Sequence, residues 1–126
     1  MPHHVSKARF AELVERAIEE LPEPFSGFME EVRVEIEDRP SPRLLRDLEM
    51  DDDELLLGLY HGRSLLERSV EDSGRLPDVI TIFQDDVEEV SDSEADLLRE
   101  VRTTVLHEIG HFFGMDEDDL DKLGYG

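Results

Sequence analysis

The residues best equipped for chemistry lie in "TVLHEIGHFFGMDEDD", Thr104 to Asp119, near the end of a 126-residue chain. His107 and His111 are four positions apart, and on a helix such side chains project together, about 5–6 Å apart at Cβ. Two imidazoles so placed reach one zinc ion at about 2.0–2.1 Å from each nitrogen. Glu108 is rotated around the helix from His107. It is off the same coordination position but within reach of a water on the metal. The spacing H-E-x-x-H thus supplies two ligands and a base. A catalytic zinc keeps three protein ligands and one open position, so a third ligand is required. Gly114 is placed to end the helix and turn the chain back under the histidines, which brings up Glu117, six residues after His111. A carboxylate oxygen is a proper third ligand. The competing reading is a polar helix face with satisfied histidines, because short patterns of this kind also arise by chance.

The elements that must position these groups are legible from periodicity. Ser91 with Glu94 three positions on fits a capping box, so a helix is expected from near Asp92 to about Phe113, stopped at Gly114. Leu98, Val101, Val105, Ile109 and Phe112 share one arc of it, the core face. His107 and His111 share another, with Glu108 between them and the core. Thr104 and Glu100 precede the histidines on their face by one and two turns, and Thr104 is a candidate contact to a ligand imidazole. Phe10, Leu13, Val14, Ala17, Ile18 and Leu21 mark an amphipathic helix over Ser6–Leu21, ended by Pro22 and Pro24. "FSGFME" is expected to be a connection.

Strands are expected at Val32–Glu37, Leu55–Gly62 and Asp78–Gln84. The second is the most apolar around its leucines and is expected to be central. A helical turn is expected around Leu44–Leu48, a loop or hairpin arm in "RSLLERSVEDSGRLP", and a short edge strand or loop in "DDVEEVSDS". By residue type, Tyr60, His61 and Tyr125 are the candidates to donate a hydrogen bond to a developing oxyanion. The first two end the second strand, and Tyr125 follows the metal segment.

Composition narrows the classes. The length suits one domain over residues 1–126. With 34 acidic and 13 basic side chains the net charge is −21, which repels nucleic acid and anionic membranes and favours basic or neutral partners. With no cysteine, thiolate metal sites and disulfides are excluded. No apolar stretch reaches the length of a membrane span, so the expected setting is the cytoplasm. Nothing in the sequence sets the oligomeric state.

The full pattern His107-Glu108-x-x-His111-x-x-Gly114-x-x-Glu117 matches the long metzincin zinc pattern with its last histidine exchanged for a carboxylate. Together, "LLLGLYHG", "LPDVITIFQ", "VRTTVLHEIGHFFGMDEDDL" and the final "LGY" resemble the minimal zincin family of small bacterial zincin-like metallopeptidase domains. The likeness extends to the "VRVEIED" strand and is strongest from Leu55 onward. It implies an α+β fold, a small mixed sheet of about three to four strands packed by an N-terminal helix and a C-terminal active-site helix. Members usually carry Asp where this chain has Glu117, so Asp116 is the fallback ligand. Met115 precedes the third ligand and no methionine follows it, so the methionine turn of metzincins is expected to be absent.

The expected function is hydrolysis of peptide bonds in a peptide or protein substrate, preferentially a basic one. One Zn2+, or another first-row divalent ion, would activate water, with Glu108 as general base. The alternative is a non-catalytic metal-binding or acidic protein-interaction domain on the same fold. A structural site of that kind would recruit a fourth ligand such as Asp116 or Asp118.

Overall fold

The computed structural model describes residues 2–23, 25–61, 78–112 and 117–122, and the side chains of residues 111, 112, 117, 120 and 121 fall outside that description. Phe10, Leu13, Val14 and Ala17 are buried along one face of α1, Lys7–Glu19. Ser6 caps this helix, its hydroxyl accepting the Arg9 N–H at 3.0 Å. Beyond Pro22, the expected plain connection is instead a short helix α2, Phe25–Phe28, and a 3-10 turn, Met29–Glu31. Phe25 and Met29 are buried there, and the Pro22 carbonyl accepts the N–H groups of Phe25 and Ser26.

The alternating "VRVEIE" forms β1, Val32–Glu37, over the range its pattern predicts. Helix α3, Pro42–Asp47, replaces the expected single turn, with Ser41 capping the Leu44 N–H and proline in the first turn. Two further strands follow, β2 at Gly58–His61 and β3 at Asp78–Phe83. The three make one mixed sheet in the order β1-β3-β2, with β1 parallel and β2 antiparallel to β3.

Two strand expectations are corrected. The leucine-rich strand is not central but forms an edge, and it is short. Leu55–Leu57 lie outside it, although the Leu57 carbonyl still accepts the Phe83 N–H at 3.0 Å; the Leu56 N–H is taken by the Asp86 carboxylate at 2.9 Å. The acidic stretch after β3 is a helix, α4, Gln84–Glu89. Its Val87 enters the core, while Gln84 and Glu88, four apart, hydrogen-bond at 3.0 Å. The proposed hairpin arm in 63–77 lies outside the described residues.

The long helix α5 spans Glu94–Phe112. Its cap is Ser93, whose hydroxyl accepts the Asp96 N–H at 3.1 Å, whereas the Ser91 hydroxyl is buried and donates to the Val87 carbonyl at 2.7 Å. Val101, Val105 and Ile109 are buried as the periodicity requires, and Leu97 and Leu106 join them. Leu98 is half-buried against this core. Gly114 lies outside the described residues. Helix α6, Glu117–Lys122, follows.

Helices α1 and α5 lie side by side, linked by ion pairs Arg9–Glu94 at 2.7 Å and Arg102–Glu20 at 3.2 Å. Their apolar faces form one core with Ile80 and Ile82 of β3 and with Val34 and Ile36 of β1. The register aligns Val34 with Ile80 and Ile36 with Ile82, so these side chains share the helix-covered face. Gly58 and Tyr60 pair with Ile82 and Ile80, which puts them on that face as well. Among the described residues no helix is long and apolar enough to cross a membrane.

Residues 3–5 are tied to α4 through Glu88, only 3% exposed. Its carboxylate accepts the Val5 N–H at 3.0 Å and meets the His4 Nδ1 at 2.8 Å. Burial pushes the Glu88 carboxyl upward, but bonds from Gln84, His4 and the Val5 N–H outweigh it, and its pKa lies below the ordinary 4.5. The hydrogen bond to Glu88 raises His4 above the ordinary 6.5. The Glu88 contribution is present above pH 4.5 and fades as pH falls through its lowered pKa; the His4 contribution is present below pH 6.5 and fades as pH rises through its raised one. The stability advantage of the wild type over His4→Gln is therefore greatest between pH 4.5 and 6.5 and declines at higher pH. Urea midpoints across a pH series check this, and a constant difference to alkaline pH would refute it.

A second prediction concerns Gly58. A Cβ there would meet the Thr104 Cγ2 at 2.7 Å and the Thr81 carbonyl oxygen at 3.1 Å. Gly58→Ala should cost about 1–3 kcal/mol by overpacking. Adding Thr104→Ser, which removes the nearer atom, should recover part of the loss in the same denaturation measurement.

Candidate active site

An edge strand leaves half of its backbone donors without a ladder partner. In β2 one of them, the Tyr60 N–H, donates to the Glu108 Oε1 at 3.0 Å. Helix α5 thereby reaches across to the strand with the side chain singled out as a base. One turn back along α5, Thr104 fits against the bare Cα of Gly58, the close approach that fixes the distance between helix and strand. The two contacts hold α5 and β2 as a pair of walls.

Between these walls runs a groove of about 280 Å³. One side is the segment Leu55–Gly58 leading into β2; the other is the α5 face carrying Glu100, Thr103, Thr104, His107 and Glu108. His107 and Glu108 are half-buried at this surface. The Leu56 end of the strand segment is fastened by Asp86, itself 8% exposed. Burial raises the Asp86 carboxyl, an effect partly offset by the Leu56 N–H.

The predicted site residues are distributed as follows. His107, Glu108 and Thr104 line the groove together, and Tyr60 adjoins it through its backbone while its side chain packs on the core. His61 is exposed at the end of β2, where strand alternation puts it on the opposite face from Gly58 and Tyr60. His111 lies one turn beyond His107 on the unbroken α5 backbone, and Glu117 opens α6. The side chains of these two, together with Asp116 and Tyr125, lie outside the described residues. Among the described side chains no three His, Asp or Glu residues form a metal-sized cluster. By residue type His107, His111 and Glu117 are donors of the kind a first-row divalent ion accepts, and the α5 backbone sets the first two positions one turn apart.

Sequence reasoning missed two parts of this arrangement. It assigned no role to the Leu55–Leu57 wall, and it did not identify the backbone of Tyr60 as the anchor of Glu108. Gly58 was the available signal, since a lone glycine inside an apolar strand marks a place where something approaches the backbone closely.

Comparison with known proteins agrees with the architecture. No curated protein matches the chain. Among solved structures, a conserved hypothetical protein from Thermus thermophilus is similar, with 30% sequence identity and a TM-score of 0.51 over 94% of this chain and 97% of that one. The family model described as zincin-like metallopeptidase matches residues 29–126, a span that takes in the sheet, the groove and α5. The chain belongs to the zincin-like metallopeptidase family.

Proposed function

We propose that this chain is a metal-dependent peptide hydrolase in which Glu108 is the general base. The observation that carries the reading is the 3.0 Å bond from the Tyr60 N–H to the Glu108 Oε1, made beside His107 at the groove. It holds a carboxylate in a fixed orientation next to a potential metal ligand. His107, His111 and Glu117 would hold the ion, with Asp116 as the fallback ligand. When bound, a zinc or similar divalent ion supplies Lewis-acid polarisation of the peptide carbonyl and of the attacking water.

The protein's own part centres on Glu108. Its Oε1 is engaged by Tyr60, which leaves Oε2 to take a proton from the attacking water. The water oxygen adds to the carbonyl carbon, the C–N bond breaks, and Glu108 delivers the proton to the leaving amine nitrogen. The walls at Leu55–Gly58 and α5 confine an extended peptide between them.

The bond between Tyr60 and Glu108 also supports a second reading. It joins helix to strand whether or not any reaction occurs, so the same residues suit a zincin fold that binds metal, or a partner protein, without catalysis.

Two outcomes test these readings. Glu108→Gln retains Oε1 for the Tyr60 N–H, so its melting temperature and zinc content should match the wild type. Its peptide hydrolysis should fall about 10²–10⁴-fold, the usual contribution of a general base. Undiminished hydrolysis would remove Glu108 from the role; stoichiometric zinc with no hydrolysis in the wild type would establish the second reading. His111→Ala should lose the metal, measured by mass spectrometry of purified protein beside the wild type. Full metal content in that variant would break the proposed ligand set.

A further inference from the structure

We infer that the end of the groove remote from His107 is a subsite for a basic side chain, with Glu100 as the residue that selects it. This rests on the reading of the groove as a peptide site. Glu100 lies seven residues before His107 on α5, two turns or about 10 Å along the axis. Both line the same groove, together with Thr103 and Thr104 between them on the helix. The opposite wall is aliphatic, built of Leu55, Leu56 and Leu57. A long side chain from a residue near the scissile bond would therefore lie along leucine and threonine methyl surface and end at a carboxylate. That combination suits lysine or arginine, whose apolar stem and charged tip require different surroundings.

The charge of Glu100 is available for this purpose. Among the described residues it has no ion pair or side-chain hydrogen bond, although arginines flank it on the same helix. Arg99 is paired with Asp96 at 2.8 Å and Arg102 with Glu20 at 3.2 Å, so neither neutralises it. The groove's other carboxylate, Glu108, is engaged by the Tyr60 N–H. Glu100 is half-buried, which lowers the screening its charge would meet on an open surface. A guanidinium arriving there gains a charge-assisted hydrogen bond without displacing an existing partner. The net charge of −21 draws cations towards the whole molecule, and Glu100 gives that attraction a position at this end of the groove.

The test uses short, otherwise neutral, dye-labelled peptides in which one arginine is moved through the sequence. Each has a twin carrying the uncharged isostere citrulline. Binding to the metal-free full chain is read by fluorescence anisotropy at low ionic strength, where no turnover intervenes. For at least one position the wild type should bind the arginine peptide about tenfold more tightly than its twin, as one charge-assisted hydrogen bond provides. Glu100→Gln should bring that ratio close to one. Glu15→Gln, which removes one exposed charge from α1, should leave the ratio intact. The subsite is overturned if Glu100→Gln keeps the preference, if Glu15→Gln abolishes it equally, or if neither peptide of any pair binds. Cleavage of the same peptides with zinc separates the two readings. A Glu100-dependent preference without cleavage keeps the subsite and removes the hydrolase; cleavage without the preference does the reverse.

Discussion

The geometry of the groove depends on one backbone donor. A strand at the edge of a sheet must satisfy its outward N–H groups with water, another strand or a side chain. Here the Tyr60 N–H finds the carboxylate of Glu108, carried by the helix that covers the same face of the sheet. The arrangement works only because Gly58, two residues earlier, has no side chain to hold α5 away. Strand, helix and carboxylate are thus fixed by a single close approach. A longer separation would loosen the bond to Tyr60 and widen the groove together.

The acidic composition acts at two levels. Some carboxylates build the fold: Glu88 fastens residues 4 and 5 to α4, Asp86 holds Leu56, and Glu94 and Glu20 tie α1 to α5. These are locally compensated by N–H groups, histidine or arginine. With 34 acids against 13 bases, the excess of negative charge produces a negative field around the molecule. The field would be diffuse if every carboxylate stood in open solvent. Placing one half-buried in a groove with aliphatic walls concentrates it, because a low-dielectric surround screens less than water.

Elements with strong period were readable from the sequence. The three- and four-residue spacing of α1, the alternation of β1 and the β-branched run of β3 each located an element to within a residue or two. The helical phase of α5 likewise separated Val101, Val105 and Ile109 from His107. The failures have physical causes. The leucines at 55–57 were read as a central strand, since apolarity alone does not distinguish the interior of a sheet from a wall beside it. The stretch "DDVEEVSDS" is expected to be an edge strand or loop, since composition does not reveal that Asp86 and Glu88 will be buried on a helix against internal donors. Ser91 and Ser93 both offer a cap, and only burial of the Ser91 hydroxyl against Val87 decides between them.

The sheet order also determines when the groove can exist during folding. The parallel pair joins Val32 to Asp78 across 78 − 32 = 46 positions, while β2 reaches β3 across 80 − 60 = 20 positions, from Tyr60 to Ile80. Contacts so distant along the chain must repay loop-closure entropy before they stabilise anything, which makes them slow relative to helix formation. Both pairings, moreover, require β3, which is followed in the chain by the groove-lining helix. During synthesis, β1 and β2 therefore emerge with no sheet to join, and the edge-strand donor remains open to water until α5 has left the ribosome. The groove is thus among the last parts of the molecule to acquire its shape, and a nascent chain lacks it until the helix beyond β3 has been made.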